Sequence, residues 1–197
     1  MKKFKIFADF EEEEQFLNNM AQKGFCLEKY NSLGVYTFRH TEPQNLCYRI
    51  DYRTFADNAQ FENYCTLFQD AGWDHVYGTR RSGSQYFLPI PDKVQTDDIF
   101  SDKESKAGRY KRFSKQCFTA LTWMIVWLII LMPAWDAGNW YFRIWNMPPS
   151  LLWKAALFET PFILLSVAPI LILLFLAILY GYWALKARNI YRKTFNI

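Results

Sequence analysis

The sequence contains only two histidines and four cysteines, the residue types most often used as metal ligands or nucleophiles, and they are widely spaced. Neither histidine, His40 or His75, has a second histidine three or four positions away, the spacing that pairs metal ligands on one helix face. None of the four cysteines forms a Cys-x-x-Cys pair, so we expect reduced thiols. The sequence therefore predicts no metal site and no cofactor.

Two polar clusters could hold an ion. Residues 79–84 form a basic, glycine-containing turn that could hold an anion, although a solvated hairpin is the simpler interpretation. A group of four carboxylates fits a linker or a helix start better than a metal site: Asp97, Asp98, Asp102 and Glu104. The sequence has neither a glycine-rich phosphate loop nor a Gly-x-Ser-x-Gly nucleophile motif. We therefore predict that the protein is not an enzyme.

The elements that would position these side chains divide into a polar part and an apolar part. Residues 1–100 contain 11 Lys and Arg against 15 Asp and Glu, a net charge of −4. Residues 101–116 and residues 117–197 each contain 6 against 2, a net charge of +4. The positive charge thus accompanies the apolar segments. We expect no direct nucleic-acid binding by the polar part, because such binding requires a basic face.

Two uncharged apolar segments, residues 117–135 and 161–185, predict two transmembrane helices. About 20 apolar residues span the hydrocarbon core of a bilayer as a helix. Pro169 lies inside the second segment and predicts a kink or a helix start. Between the segments, residues 136–160 predict a short extracytoplasmic loop with an interfacial helix at residues 151–159. Its aromatic side chains suit the lipid headgroup region: Trp140, Tyr141, Trp145 and Trp153.

The positions of Lys and Arg predict the orientation of these helices. Basic residues are concentrated before the first segment and in the tail, residues 186–197, whereas the loop contains only Arg143 and Lys154. The positive-inside rule then places both termini in the cytoplasm of a two-span protein of the cell membrane. Because no charged side chain lies inside either segment, an anchor or a helix–helix interface is favoured over a transport pathway.

Residues 1–90 predict a cytoplasmic α+β domain with an internal repeat. Each half reads as strand, helix, strand and strand, and a shift of 48 residues places Gly24 on Gly72, each just after a predicted helix. We predict a duplicated βαββ unit that forms one antiparallel sheet with two helices on one face, similar to the ferredoxin-like fold. The two-helix transmembrane hairpin follows this domain.

The predicted strands contain many aromatic residues, of which about half would face the helices. The others could line a partner or ligand face, with plain core packing as the alternative. The candidates are Tyr36, Phe38, Tyr48 and Tyr86.

Residues 91–116 predict a basic juxtamembrane linker that enters the membrane as a helix, with Gly108 as a hinge. Ser101 and Glu104 have the spacing of a capping box at its start. Basic side chains near a bilayer attract anionic lipid headgroups. The predicted membrane-surface contacts are Lys106, Arg109, Lys111, Arg112, Lys115, Lys186 and Arg188.

Several motifs resemble a bacterial family catalogued as domain of unknown function 2812, over most of residues 1–115. They are residues 4–7 (FKIF), 16–24 (FLNNMAQKG), 36–38 (YTF), 48–51 (YRID), 71–73 (AGW) and 98–102 (DIFSD). The resemblance implies a regulatory pairing, because this family is typically encoded beside PadR-type transcriptional regulators. It implies no catalytic residues.

The patterns favour a membrane-anchored regulatory or sensor protein whose cytoplasmic domain binds a partner. An acidic domain suits capture of a basic DNA-binding regulator. Two alternatives stay open, an accessory subunit of a membrane transport complex and a module that binds an amphiphilic ligand. The sequence also leaves a homo-oligomer open.

Overall fold

The computed structural model describes residues 1–31, 34–91, 93, 98–136 and 148–195. In chain order these form β1 (Lys2–Phe4), α1 (Phe10–Gln22), β2 (Phe25–Asn31), β3 (Val35–His40), β4 (Arg49–Arg53), α2 (Asn58–Asp70), β5 (Trp73–Tyr77), β6 (Gly83–Pro89), α3 (Lys103–Asp136) and α4 (Pro149–Phe195). The chain divides into an α+β unit, Met1–Ser114 with Leu185–Ile197, and an apolar unit, Lys115–Ala184. Some residues of the predicted loop and carboxylate cluster lie outside the described residues: Asp97, Trp140, Tyr141, Arg143 and Trp145.

Helices α1 and α2 begin and end where the sequence provides caps. The Asp9 carboxylate accepts a hydrogen bond from the Glu11 amide at 3.0 Å, and this satisfies an amide that has no partner within the helix. After α1, Gly24 has a φ of +80°, and an added Cβ atom would lie 2.6 Å from the Thr41 carbonyl oxygen. Gly72 follows α2 with a φ of +90°. Both predicted glycine caps are confirmed.

The α+β unit contains two three-stranded antiparallel sheets. Their strand orders are β1–β3–β2 and β4–β6–β5, so the element order βαββ and the position of the last strand at the centre occur in both halves. The ferredoxin-like arrangement in one sheet is not confirmed, because alternation of apolar residues predicts strands but not which edges pair. The halves meet near Tyr77 of β5, whose hydroxyl donates to the Tyr30 carbonyl of β2 at 2.8 Å.

Helices α3 and α4 are longer than the predicted apolar segments, at 34 and 47 residues. Residues 149–160, for which the sequence predicts a loop with an interfacial helix at residues 151–159, form the first turns of α4, and Pro161 and Pro169 lie inside that helix. Among the described residues, two helical stretches, Lys103–Leu131 and Val167–Phe195, each contain an 18-residue segment apolar enough to cross a membrane, with mean hydropathies of 1.5 and 2.2 for those segments.

The α+β unit extends beyond the predicted domain of residues 1–90. It includes the first turns of α3 and the last turns of α4, because Ala107, Tyr110 and Ala187 are buried in its core. The predicted linker and basic tail are therefore partly structural elements of this unit. Gly108, the predicted hinge, lies within the continuous helix α3.

Candidate functional site

Helix α1 places two consecutive glutamates in the interior of the α+β unit. Glu13 and Glu14 are only 4% and 6% exposed. At helical spacing they share a face with Phe10 and Leu17, which belong to the core. A buried carboxylate is costly unless it is hydrogen-bonded or paired with a cation. The partners of these two side chains therefore define the site.

The Glu13 carboxylate connects the central strands of the two sheets. Its Oε1 atom accepts hydrogen bonds from the hydroxyl of Tyr36 in β3 at 2.7 Å and from that of Tyr86 in β6 at 2.6 Å. The Tyr30 ring packs against both tyrosines, with ring centroids 4.7 and 5.7 Å apart. We call Glu13, Tyr36 and Tyr86 the tyrosine–carboxylate cluster. It joins the two halves of the unit through one carboxylate.

One group of the tyrosine–carboxylate cluster titrates near neutral pH. Burial raises the pKa of the Glu13 carboxyl to about 7, against the opposing effect of the Tyr86 and Tyr36 hydroxyls. Burial also raises the pKa of both tyrosines, so their hydroxyls stay protonated and can donate. All three side chains are buried. The cluster can therefore take up a proton near neutral pH, but it offers no surface to a substrate.

Glu14 forms an ion pair with a residue that lies far along the chain. Its Oε1 atom accepts hydrogen bonds from Arg109 Nη1 of α3 at 2.6 Å and from the Ile50 amide of β4 at 3.1 Å. Burial raises the pKa of the Glu14 carboxyl, and the Arg109 charge acts in the opposite direction. This pair fastens the start of α3 to both α1 and β4.

Arg109 is fully buried and surrounded by aromatic rings. Its Nη1 atom also donates to the Ile50 carbonyl oxygen at 2.8 Å. The centroids of the Phe10, Phe100 and Tyr110 rings lie 5.3, 5.4 and 5.2 Å from the guanidinium carbon. Such ring faces stabilise a cation that has lost its water. These contacts therefore stabilise the positive charge of the buried Arg109 guanidinium.

Arg112 lies one turn further along α3, on the same side of the helix. Its guanidinium donates to the Asp51 carboxylate and to the Tyr52 carbonyl oxygen. The other carboxylate oxygen of Asp51 accepts from the Tyr64 hydroxyl of α2 at 2.8 Å. We call Glu14, Asp51, Arg109 and Arg112 the α3 network. Through it α3 is attached to α1, to β4 and, by way of Asp51, to α2.

The seven predicted membrane-surface residues fall into three groups: one is buried, three pair with carboxylates and three are exposed. The prediction is wrong for Arg109, which is 0% exposed because its charge is paired inside the unit. Three others pair with carboxylates: Lys106 with Asp98 at 3.0 Å, Lys186 with Glu12 at 3.8 Å, and Arg112 with Asp51. The remaining three are exposed, and their lipid contact stays a prediction: Lys111, Lys115 and Arg188.

The predicted aromatic face is part of the core. Its four residues are 0–1% exposed: Tyr36, Phe38, Tyr48 and Tyr86. An exposed partner or ligand face at these positions is therefore wrong, and core packing, the alternative that the sequence left open, is what the structure has. Tyr36, Phe38 and Tyr86 are buried because β3 and β6 are the central strands of their sheets and share one core with α1, and Tyr48, which directly precedes β4, belongs to the same core.

Two of the other polar candidates, His75 and Asp102, have structural partners. His75 Nε2 lies 2.9 Å from Gln85 Oε1, and burial lowers the pKa of its imidazole. The Asp102 carboxylate accepts from the Ser105 amide at 2.7 Å at the start of α3. The four cysteines are free thiols. Among the described residues, no group of three or more His, Cys, Asp or Glu side chains could hold a metal ion.

Sequence reasoning missed the roles of Glu13, Glu14 and Arg109. Four consecutive glutamates at the start of a helix are accounted for by the helix dipole, although two of them fall on the apolar face at helical spacing. Phe113, four residues after Arg109 and therefore on the same side of α3, marks an apolar face of the same kind. That spacing was the available signal.

The fold and these contacts define a class of protein: an α+β domain that incorporates the ends of two long helices with candidate membrane spans. The chain belongs to the family described as "Protein of unknown function (DUF2812)", whose model matches residues 9–122. This match runs from the cap of α1 into α3 and so contains the whole α3 network. No curated protein and no solved structure matches the chain.

Proposed function

We propose that the protein is a membrane-anchored regulatory protein. Its α+β unit lies in the cytoplasm and binds a PadR-type transcriptional regulator. The affinity for this partner changes with the state of the membrane helices.

The observation that carries this proposal is the continuity of α3. The helix begins among residues that fill the core of the α+β unit and continues, without a break, into an uncharged apolar segment. Arg109 and Arg112 would otherwise be suited to a membrane surface, yet they are used to attach the helix inside the unit. A displacement of α3 therefore has a direct physical route to α1 and β4.

Exposed apolar side chains support the membrane anchor. In the apolar unit, Trp123, Trp127, Ile129, Leu165 and Ile178 are 54–75% exposed. A soluble monomer rarely leaves such large apolar side chains in water over a whole helix. A bilayer would cover them, since the hydrocarbon core accepts uncharged apolar helices of this length.

Reporter fusions test the proposed orientation. Alkaline phosphatase fused after Lys193 is expected to be inactive, and green fluorescent protein at the same point fluorescent, because the basic flanks keep both termini in the cytoplasm. Phosphatase inserted after Pro148 serves as the matched control and should be active. An active phosphatase after Lys193 would contradict the orientation.

The charge of the α+β unit supports a basic partner. Residues 1–100 carry a net charge of −4. Several carboxylates are exposed in both halves: Glu28 and Glu42 in the first, Glu62 and Asp70 in the second. Opposite charge across an interface accelerates association and gives specificity. DNA-binding regulators carry the complementary basic surface.

Purification of the tagged full chain from membranes of its native host tests the partner. We expect a PadR-type regulator to co-purify, in an amount that falls as the salt concentration rises. Two double variants test the halves separately. Glu28→Lys/Glu42→Lys reverses the charge of exposed carboxylates in the first half, and Glu62→Lys/Asp70→Lys does so in the second. At least one of these variants should retain several-fold less regulator.

Two results would contradict the proposal that a PadR-type regulator is the partner. One is a regulator that stays cytosolic and equally active when the gene for this protein is deleted. The other is a transporter permease as the stoichiometric partner, which would support an accessory subunit of a transport complex instead.

A further inference from the structure

A cleft of about 620 Å³ lies between α2, the end of β4 and the start of α3, all within the α+β unit. We call it the α2 cleft. Its volume falls in the usual range of small-molecule sites, about 300–1,000 Å³. It is separate from the tyrosine–carboxylate cluster, and it shares Asp51 and Arg112 with the α3 network.

The polar side of the α2 cleft has an excess of positive charge. Two arginines, Arg53 and Arg112, line it against one carboxylate, Asp51. That carboxylate is already satisfied, since it accepts hydrogen bonds from Arg112, from the Tyr64 hydroxyl and from the Tyr52 amide. The charge of Asp51 is thus used inside the protein.

Arg53 supplies the cation that remains available. It is the last residue of β4 and is exposed. No carboxylate of the described residues lies within 4.0 Å of its guanidinium nitrogens. Its guanidinium carbon lies 5.7 Å from the centroid of the Tyr64 ring, which holds the side chain over the cleft wall. A guanidinium in this position matches a carboxylate, phosphate or sulfonate group.

The α2 cleft also has an apolar lining. It includes Phe55, Leu67, Phe68, Ile99 and Phe100. Leu67 is 65% exposed, which leaves a large apolar side chain of α2 open to a ligand. Asn63 and Ser105 also line the cleft and provide hydrogen-bonding groups.

We propose that the α2 cleft binds an amphiphilic anion, with the charged head at Arg53 and the apolar body against Leu67 and Phe68. A cation would meet the charge of Arg53, and a fully polar anion would leave the apolar lining in water. An anionic phospholipid and a free amphiphilic acid share this chemistry. Binding does not depend on the proposed regulator, although Arg112 connects the cleft to the α3 network.

Photolabelling of the full chain tests this site. The protein is reconstituted in phosphatidylcholine nanodiscs and labelled with a diazirine derivative of decanoate, and the labelled peptides are mapped by mass spectrometry. We expect saturable labelling within residues 53–68 and 99–105 that excess decanoate removes. If the labelling is also lost in nanodiscs that contain phosphatidylglycerol, the natural ligand is an anionic phospholipid. If it is not lost there, the natural ligand is a free acid.

Matched variants separate the cleft from adventitious binding. Arg53→Gln and Leu67→Asp should each raise the probe concentration at half-saturation by about tenfold. This is the effect expected for loss of one charge-assisted hydrogen bond or one buried apolar contact. Arg81→Gln and Gln69→Asp change exposed residues outside the cleft and should leave it unchanged. Labelling that does not saturate, that maps only to the apolar segments, or that responds equally to Arg53→Gln and Arg81→Gln would overturn the proposal.

Discussion

Replacement of Arg109 by methionine is expected to destabilise the α+β unit by about 3–5 kcal/mol, because it leaves the buried Glu14 carboxylate without its cation. The remaining partners of that carboxylate are the Ile50 amide at 3.1 Å and the Arg49 Nη1 atom at 3.9 Å. The start of α3 would also lose its attachment to the Ile50 carbonyl. Denaturant unfolding of the full chain in detergent micelles measures the change.

A control variant and a double variant identify the cause of this effect. Lys111→Met changes an exposed residue of the same helix and should alter stability by less than about 1 kcal/mol. Glu14→Gln/Arg109→Met removes both charges while keeping an acceptor for the Ile50 amide, and it should recover most of the loss. Equal stability of Arg109→Met and Lys111→Met would show that the buried pair does not hold α3.

The stability of the α+β unit is expected to fall as the pH rises, on account of Glu13. The folded-state pKa of this carboxyl is raised from 4.5 to about 7, so the folded state holds its proton where the unfolded chain has lost it. The contribution is fully present below pH 4.5 and is lost as the pH rises to about 7. Each pKa unit corresponds to about 1.4 kcal/mol, which makes the loss about 3 kcal/mol.

Glu13→Gln tests this dependence. The glutamine cannot ionise, and its carbonyl oxygen can still accept from Tyr36 and Tyr86, so the variant should show a flatter stability profile between pH 5 and 8. The matched change Glu62→Gln on the exposed face of α2 should keep the wild-type profile. Denaturant unfolding across this pH range provides the comparison. A Glu13→Gln profile as steep as the wild type would exclude Glu13 as the titrating group.

The two buried glutamates give adjacent positions of α1 different roles. Glu13 joins the two sheets through hydroxyl groups and can change its charge near neutral pH. Glu14 meets a permanent guanidinium charge and attaches α3. A protonation change at Glu13 would therefore be felt in the same helix that holds α3. Both carboxylates are buried, so these roles are internal to the α+β unit.

Much of the architecture could be predicted from local pattern. Helical spacing and glycine caps located α1 and α2, and alternating apolar residues located most strands. Uncharged apolar stretches located the long helices. These features depend on residues close together in the chain, whose period determines which face of an element is apolar. The internal repeat was visible for the same reason, since Gly24 and Gly72 end equivalent helices.

The partners of the polar residues were decided by the tertiary structure alone. Arg109 is 95 residues from Glu14, and Tyr86 is 73 residues from Glu13. A periodic pattern shows that a face is buried, but it does not identify what lies opposite that face. For apolar residues this matters little, because apolar contact is non-directional. For a charged side chain, the group that lies opposite determines its role. The same arginine contacts lipid when it is exposed and attaches two elements when a buried carboxylate lies against it.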